Sequence, residues 1–239
     1  MRPFFLKNKN DLLILSHLNT ASHEGPVVGS KPVLQVPYQP PPLPRYASVT
    51  VTILKRALNF IGVKDRDEGI LAMHIFVLGL PILKGFDDEV LPLVHQCWEP
   101  LVAKFRTGQP PIMKKAFEVL VMIGHVSKDF ILHFRRDVFP LLLKFLLTAS
   151  LESRLKDAGA TYRHTQAYSL QTALLSQLPC LIAHLSVDDR TLTQVMVAVD
   201  PYLSNKQPKQ LQSRCALLHL PMLTAACGLL AGRIEHPLS

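Results

Sequence analysis

The fold is decided by residues 87–125, which read DDEVLPLVHQCWEPLVAKFRTGQPPIMKKAFEVLVMIGH. Apolar residues recur there at three- and four-residue steps in two runs, and a short break containing glycine and proline separates the runs. This is the pattern of consecutive amphipathic helices. The acidic residues 87–89 suit the positive end of a helix dipole, and Pro110 with Pro111 suits a first helical turn. The stretch therefore predicts a pair of helices at 88–106 and 110–125.

The helical pattern extends in both directions from this pair. From Tyr46 onward the same spacing recurs, and no stretch alternates convincingly at the period of two that a strand requires. Ser186-x-x-Asp189 and Ser204-x-x-Gln207 resemble capping boxes, which mark helix starts. The other predicted helices are 47–62, 67–83, 129–150, 162–185, 188–203 and 208–231.

The predicted helices also repeat in pairs. Small residues in the second helix of each pair are separated by 44, 51 and 49 residues, at Ala72, Ala116, Ala167 and Ala216. Pro92 and Pro140 stand inside first helices, where a bend lets a helix follow a curved array. Two helices in a period of about 40–50 residues are typical of HEAT and armadillo repeats. The sequence therefore predicts an all-α, HEAT/armadillo-like α-solenoid of about four irregular helical pairs.

Composition divides the chain into three parts. Hydrophobic residues make up 48% of the 239 residues and mean hydropathy is +0.20, which excludes a wholly disordered chain. Seven of the 19 prolines fall between Pro26 and Pro44, as in an extended polyproline linker. We expect a largely disordered N-terminal segment with a proline-rich linker at 1–45, a HEAT-repeat-like solenoid at 46–232, and a tail at 233–239.

The net charge of +8 does not by itself indicate a nucleic-acid partner. Residues 1–62 carry +5 and residues 63–110 carry −2, so the excess is weighted toward the N-terminal part of the chain. Nucleic-acid-binding domains concentrate basic residues on one element and interleave aromatic side chains with them. We expect no specific nucleic-acid partner.

The four cysteines show no CxxC pairing, and four are too few for a disulfide scaffold. They indicate a reducing compartment. We expect a cytoplasmic protein, and the sequence leaves the nucleus open as a further location.

The strongest membrane candidate is the uncharged stretch Cys215–Gly232. It has 18 residues and contains Pro221 and Gly228, whereas a membrane-spanning helix needs about 20 predominantly apolar residues. A buried helix of the array is favoured, and a tail-anchored membrane protein is the less favoured alternative.

Motifs of catalysis and cofactor binding are absent from the sequence. There is no GxSxG, HExxH or GxGxxG motif, and Gly25–Lys31 has the wrong glycine spacing for a phosphate loop. His95 and Cys97 are two positions apart on a predicted helix, so they point to different faces and suit a shared metal poorly. We predict no catalytic residue, cofactor or metal, and a protein that is not an enzyme.

Several runs of sequence, in the same order along the chain, resemble one known family. They are His95-Gln-Cys97-Trp98-Glu-Pro100-Leu-Val102 with Phe105, Ala116-Phe117 with Val119-Leu120 and Gly124, Asp129-Phe130, Asp137-Val138-x-Pro140, Tyr162-x-His164-Thr165-x-Ala167 with Leu170-Gln171, and Tyr202-Leu-Ser204-x-Lys206-Gln207-Pro208 with Leu211-Gln212. Together they span roughly residues 85–212 and resemble the C-terminal part of the Tel-two-interacting protein one family. The resemblance fades after Gln212, and residues 1–45 match nothing in it.

The resemblance implies a non-enzymatic scaffold. Members of that family are longer HEAT-type solenoids and form the scaffold subunit of the TTT cochaperone complex, with the Tel-two protein and a second Tel-two-interacting protein. Together with a heat-shock chaperone of the ninety-kilodalton class, the complex matures and stabilises phosphatidylinositol-3-kinase-related kinases of the mTOR and ATM types. Periodicity alone also fits a HEAT-type transport or trafficking adaptor, which stays an alternative.

Aromatic and arginine side chains and residues in loops are the usual anchors of protein interfaces. The candidate partner contacts are Trp98, Phe105, Arg135, Arg136, Tyr162, His164, Tyr202, Lys206, Gln207 and Pro208. The alternative for Trp98, Phe105 and Tyr202 is a place in the core between repeats, and for the two arginines it is a solvated helix face.

Overall fold

The computed structural model describes residues 42–154 and 161–218, and the helices below are those of this part of the chain. The helices are α1 (Arg45–Ile61), α2 (Arg66–Gly79), α3 (Asp87–Thr107), α4 (Pro110–Val126), α5 (Ile131–His133), α6 (Phe139–Glu152), α7 (Gln166–Leu185), α8 (Asp189–Val199) and α9 (209–218). A 3-10 turn (Leu80–Leu83) extends α2, and another (Asp200–Leu203) extends α8. The described residues contain no strand.

The helices stack in pairs to form two layers. The first layer contains α1, α3, the continuous α5–α6 segment and α8, and the second layer contains α2, α4, α7 and α9. Within the layers α1 packs on α3, α6 on α8, α2 on α4, and α4 on α7. Between the layers α1 packs on α2 and α3 on α4. This arrangement confirms the predicted all-α solenoid of about four helical pairs.

Local sequence explains where several helices begin. The Asp65 side chain accepts hydrogen bonds from the backbone N–H groups of Asp67 and Glu68 at the start of α2. Thr165 caps α7 in the same way, so α7 begins four residues later than the predicted 162. Such caps satisfy backbone donors that have no partner inside the helix.

The two predicted capping boxes do not form as expected. Ser186 is the C-terminal cap of α7, with a left-handed φ of 48°, and Asp188 instead caps α8 through the N–H of Thr191. Gln207 is buried before the start of α9, and its side chain bonds to α6 rather than to Ser204. Both predictions were wrong because each serine follows the end of one helical segment and lies in the turn before the next.

The helix predicted at 129–150 also differs from the structure. The described chain passes from a 3-10 turn at Lys128–Phe130 into α5, then through a π-helical turn at Phe134–Val138, and then into α6. A π-turn inserts an extra residue into the helix and is frequent at functional sites. Here the turn contains Arg135 and lies directly before α6, so the faces of α5 and α6 are offset from those of one continuous α-helix.

Small residues let the second layer pack closely. A Cβ atom on Gly124 of α4 would lie 3.2 Å from Leu181 Cδ1 of α7, and one on Gly79 of α2 would lie 2.8 Å from Leu54 Cδ2 of α1. The alanine repeat is confirmed only in part. Ala72 and Ala116 are buried and Ala167 is half-buried, whereas Ala216 is exposed because α9 turns Leu211, Cys215 and Leu218 toward the core.

The described residues from Leu43 to Leu218 belong to one compact unit. The proposed linker and tail, and most of the apolar stretch 215–232, lie outside the described residues. The predicted boundaries of the three parts therefore stay a prediction.

Candidate protein-docking groove

Trp98 is buried in the first layer, where it joins α3 to the segment that contains the π-helical turn. Its indole Nε1 donates a hydrogen bond of 2.9 Å to Asp137 Oδ2, and its ring packs 5.1 Å from that of Phe134. Arg136 donates to both oxygens of Asp137, at 2.7 Å and 2.8 Å. These bonds lower the pKa of Asp137 to about 2, the Arg136 hydrogen bonds having the largest effect. Trp98 thus joins two neighbouring repeats, whereas Arg136 bonds to the adjacent residue on its own turn and is exposed, which is the solvated position raised as its alternative.

Phe105 and Tyr202 are also buried. Phe105 stacks on Phe117 with ring centroids 5.7 Å apart, which joins α3 to α4. The Tyr202 hydroxyl donates a hydrogen bond of 2.8 Å to the carbonyl oxygen of Leu146 in α6. Trp98, Phe105 and Tyr202 therefore occupy the core between repeats, which was the alternative to partner contact. None of these three rings is exposed to a partner.

A buried polar network surrounds the C-terminal end of α6. Gln171 Nε2 donates to the carbonyl of Ala149 at 2.6 Å and to the Tyr202 hydroxyl at 3.2 Å. Gln207 Nε2 donates to the carbonyl of Ser150 at 2.6 Å, and its Oε1 accepts from Ser153 at the same distance. The last carbonyls of a helix need partners from outside it. Side chains from α7 and from the chain that follows α8 supply them here.

Four of the predicted contacts flank this network. Tyr162 is half-buried and donates a hydrogen bond of 3.1 Å to Gln171 Oε1, and burial raises its pKa to about 12. Pro208 is buried, whereas His164 and Lys206 are exposed. His164 and Lys206 therefore stay predictions as partner contacts, and neither lines the two clefts described below.

Arg135 is the candidate that lies at a groove. It projects from the π-helical turn and forms a 3.3 Å ion pair with Asp188, at the start of α8. At the other end, Tyr202 bonds to Leu146 near the end of α6. Because α6 and α8 meet start to start and end to end, they run parallel, and an open groove of about 910 Å³ lies between them.

The groove has an apolar floor and a partly basic rim. Its apolar lining includes exposed side chains that no described helix covers, Leu147 at 42% exposure and Val197 at 63%. Lys144 and Arg190 line the rim, and neither forms a salt bridge within the described residues. Asp188 is the one acidic residue in the lining, and its pKa is lowered chiefly by a hydrogen bond from the Thr191 hydroxyl. We call this feature, between α6 and α8, the α6–α8 groove.

A second, smaller cleft of about 420 Å³ lies between α1 and α2 and is lined largely by apolar side chains, including the exposed Ile53, Phe60 and Leu71. Its charged lining consists of Arg56 and Glu68, one of each sign. It lacks the charge asymmetry of the α6–α8 groove.

Residues 42–154 and 161–218 contain no cluster of three or more metal-ligating side chains. No described helix is long and apolar enough to cross a membrane. Burial raises the pKa of the Cys97 thiol to about 12, which makes it a poor nucleophile.

Comparison with known proteins identifies the family. The family model described as the TTI1 C-terminal TPR domain matches residues 20–225, which is most of the chain. The chain belongs to the TTI1 family. The runs quoted in the sequence analysis fall inside the matched region and supply the buried core described above, including Trp98, Gln171, Tyr202 and Gln207.

Two curated relatives of the TTI1 family resemble the chain over a long segment. The TELO2-interacting protein 1 homologs of mouse and human are each 33% identical to it over 184 residues, or 75% of this chain. That segment corresponds to 17% of either relative, so the chain spans a small part of their length. No solved structure matches the chain.

Sequence reasoning missed the groove residues of this TTI1-family chain. Lys144, Leu147, Arg190 and Val197 were not among the candidates, although the apolar residues of 139–151 are too numerous for one buried face. A helix that is apolar over most of its circumference needs cover on several sides. That excess was the signal that could have drawn attention to α6.

Proposed function

We propose that this chain is a non-enzymatic scaffold that binds other proteins. The single observation that carries the proposal is membership of the TTI1 family over residues 20–225, since the mouse and human relatives are named for interacting with TELO2. Solenoids of stacked helical pairs offer long surfaces and characteristically act by binding proteins. The exposed apolar floor of the α6–α8 groove supplies such a surface in the described region.

The finer proposal concerns partners. We propose that the chain binds TELO2, the Tel-two protein, and the second Tel-two-interacting protein, as a TTT-type subunit. Through them it would assist phosphatidylinositol-3-kinase-related kinases together with a heat-shock chaperone. We also propose that the chain acts in the cytoplasm, where those clients are made.

Affinity capture tests the partner proposal directly. The tagged full chain is recovered from a native extract, and TELO2 and the second Tel-two-interacting protein are quantified by mass spectrometry against the tag alone. We expect both to be enriched together. Enrichment of transport cargo without either protein would contradict the TTT role and support the HEAT-type adaptor.

A further inference from the structure

The α6–α8 groove is shaped to receive one more helix. The residues of α6 that line it recur at three- and four-residue steps, at Phe139, Pro140, Leu143, Lys144, Leu147 and Thr148. At a rise of about 1.5 Å per residue they extend over about 14 Å, or about two and a half helical turns. An amphipathic helix laid in such a groove makes contacts at positions i, i+4 and i+7.

Charge is distributed unevenly along the groove. Arg135 lies in the π-helical turn just before α6, and Arg190 lies at the start of α8. The N-terminal end of α8 adds the positive end of its dipole to the same region. Lys144 lies further along α6, and the exposed Leu147 and Val197 lie at the end of the groove away from the two arginines.

The acidic residues nearby leave part of this positive charge unbalanced. Asp188 is held by Thr191 as the cap of α8 and pairs with Arg135, and both members of that pair are partly exposed. Asp189 lies on the same turn but does not line the groove. Lys144 and Arg190 therefore remain available to carboxylates of a partner.

We infer that the α6–α8 groove binds an amphipathic helical segment of a partner protein, with acidic residues at the Arg135–Arg190 end and apolar anchors over Leu147 and Val197. The inference rests on the protein-binding role proposed above and specifies what the partner segment must carry. Apolar anchors supply the affinity, and the charges set direction and select against basic segments.

A defined peptide tests the inference on the full chain. The probe is a fluorescein-labelled 16-residue peptide of alanine and glutamine, with three glutamates in the first turn and leucines at positions 6, 10 and 13. A matched peptide carries three lysines in place of the glutamates. We expect saturable fluorescence anisotropy with the glutamate peptide, and binding at least about tenfold weaker with the lysine peptide, a ratio that corresponds to about 1.4 kcal/mol.

Variants locate the binding. Val197→Glu places a carboxylate on the floor and should weaken binding of the glutamate peptide at least about tenfold. Leu132→Glu is the matched control, because Leu132 is 68% exposed and lies outside the groove lining. Combined Lys144→Glu and Arg190→Glu should reverse the preference in favour of the lysine peptide. Circular dichroism melting checks that each variant folds.

The inference is overturned if the two peptides bind equally, if neither saturates, or if Leu132→Glu weakens binding as much as Val197→Glu. It is also overturned if light scattering shows a dimer that Val197→Glu converts to a monomer, because a second copy then fills the groove.

Capture of TELO2 separates the two proposals. If the wild type and Val197→Glu capture TELO2 equally and no peptide binds, the scaffold role stands and the groove assignment fails. If a peptide binds as expected but the wild type does not capture TELO2, the partner assignment fails instead.

Discussion

The indole nitrogen of Trp98 lies 2.9 Å from a carboxylate oxygen of Asp137, and this hydrogen bond joins α3 to the π-helical turn before α6. The same carboxylate receives two hydrogen bonds from Arg136, so an indole and a guanidinium share one acceptor group. Since Trp98 is the only tryptophan in the chain, its fluorescence reports directly on this junction.

Acid should weaken this junction. Arg136 and Trp98 hold the pKa of Asp137 at about 2, below the ordinary value of 3.8, so the native state favours the carboxylate. The resulting stabilisation is fully present above pH 4 and is lost as the pH falls toward 2. We expect the urea midpoint, followed by Trp98 fluorescence, to fall more between pH 5 and pH 2.5 in the wild type than in Asp137→Asn. Asp129→Asn, at an exposed aspartate, is the control. Equal acid sensitivity of the wild type and Asp137→Asn would contradict this prediction.

The Tyr202 hydroxyl should contribute measurably to stability. Tyr202→Phe keeps the buried ring but removes the hydrogen bond to Leu146 and leaves Gln171 with one partner fewer. We expect a loss of about 1–2 kcal/mol in the free energy of unfolding, measured with urea. Tyr46→Phe is the control, because it removes a hydroxyl from an exposed side chain. It should change the free energy of unfolding by less than about 0.5 kcal/mol. A Tyr202→Phe value as small as the control value would mean that the network adds nothing.

Gly79 should resist substitution. In Gly79→Ala the new Cβ would lie 2.8 Å from Leu54 Cδ2, so the buried Leu54 must move, and we expect a loss of about 1–3 kcal/mol. Gly62→Ala is the matched control, because its Cβ would have no neighbour closer than 4.0 Å and its φ of −83° suits alanine. Thermal and urea unfolding of the two variants compare them. Equal stability would show that α1 and α2 tolerate a wider separation.

Ser186 should be improved by glycine. Its φ of 48° and ψ of 54° place a residue with a Cβ in the left-handed region, where glycine is favoured. We expect Ser186→Gly to raise the free energy of unfolding by about 1 kcal/mol. Gly85→Ala is the reciprocal test, because Gly85 has a φ of 90° and the change should destabilise the protein. A drop in stability in Ser186→Gly would show that the serine side chain matters more than its backbone.

The thiols should differ in reactivity. Cys180 is exposed, whereas burial raises the pKa values of Cys97 and Cys215 to about 12, so few of those two thiols ionise near neutral pH. With Cys227→Ser to simplify counting, we expect one thiol to react rapidly with Ellman's reagent at pH 8 in the folded chain and three in urea. Adding Cys180→Ser should remove the rapid reaction. Rapid labelling of Cys97 in the native protein would contradict its burial.

The helical pairs were predictable because their determinants are local. The spacing of apolar residues in 87–125 and the prolines at 110 and 111 define α3 and α4 without knowledge of their neighbours. The roles of aromatic side chains were harder to predict. Whether Trp98 or Tyr202 faces solvent depends on a neighbouring repeat, because their partners Asp137 and Leu146 lie 39 and 56 residues away in the sequence.

The groove and the π-helical turn escaped prediction for physical reasons. The groove joins side chains of residues 135–148 to those of residues 188–198, and no local sequence pattern encodes a contact between segments so far apart. The π-turn differs from an α-helix by one inserted residue, which leaves apolar spacing almost unchanged over Phe134–Val138. The serines at 186 and 204 misled because a serine serves several kinds of turn equally well.

The bonds around the end of α6 also bear on how the array comes apart. In a linear array, stability is divided between what each unit holds alone and what it shares with its neighbour. The carbonyl groups of Leu146, Ala149 and Ser150 are satisfied by Tyr202, Gln171 and Gln207, which belong to later segments. If the last pair unfolded alone, the carbonyls of Leu146 and Ser150 would both lose their partners, and the carbonyl of Ala149 would become exposed. We therefore expect the final two units to unfold together as one cooperative block, and not to fray from the end of the array.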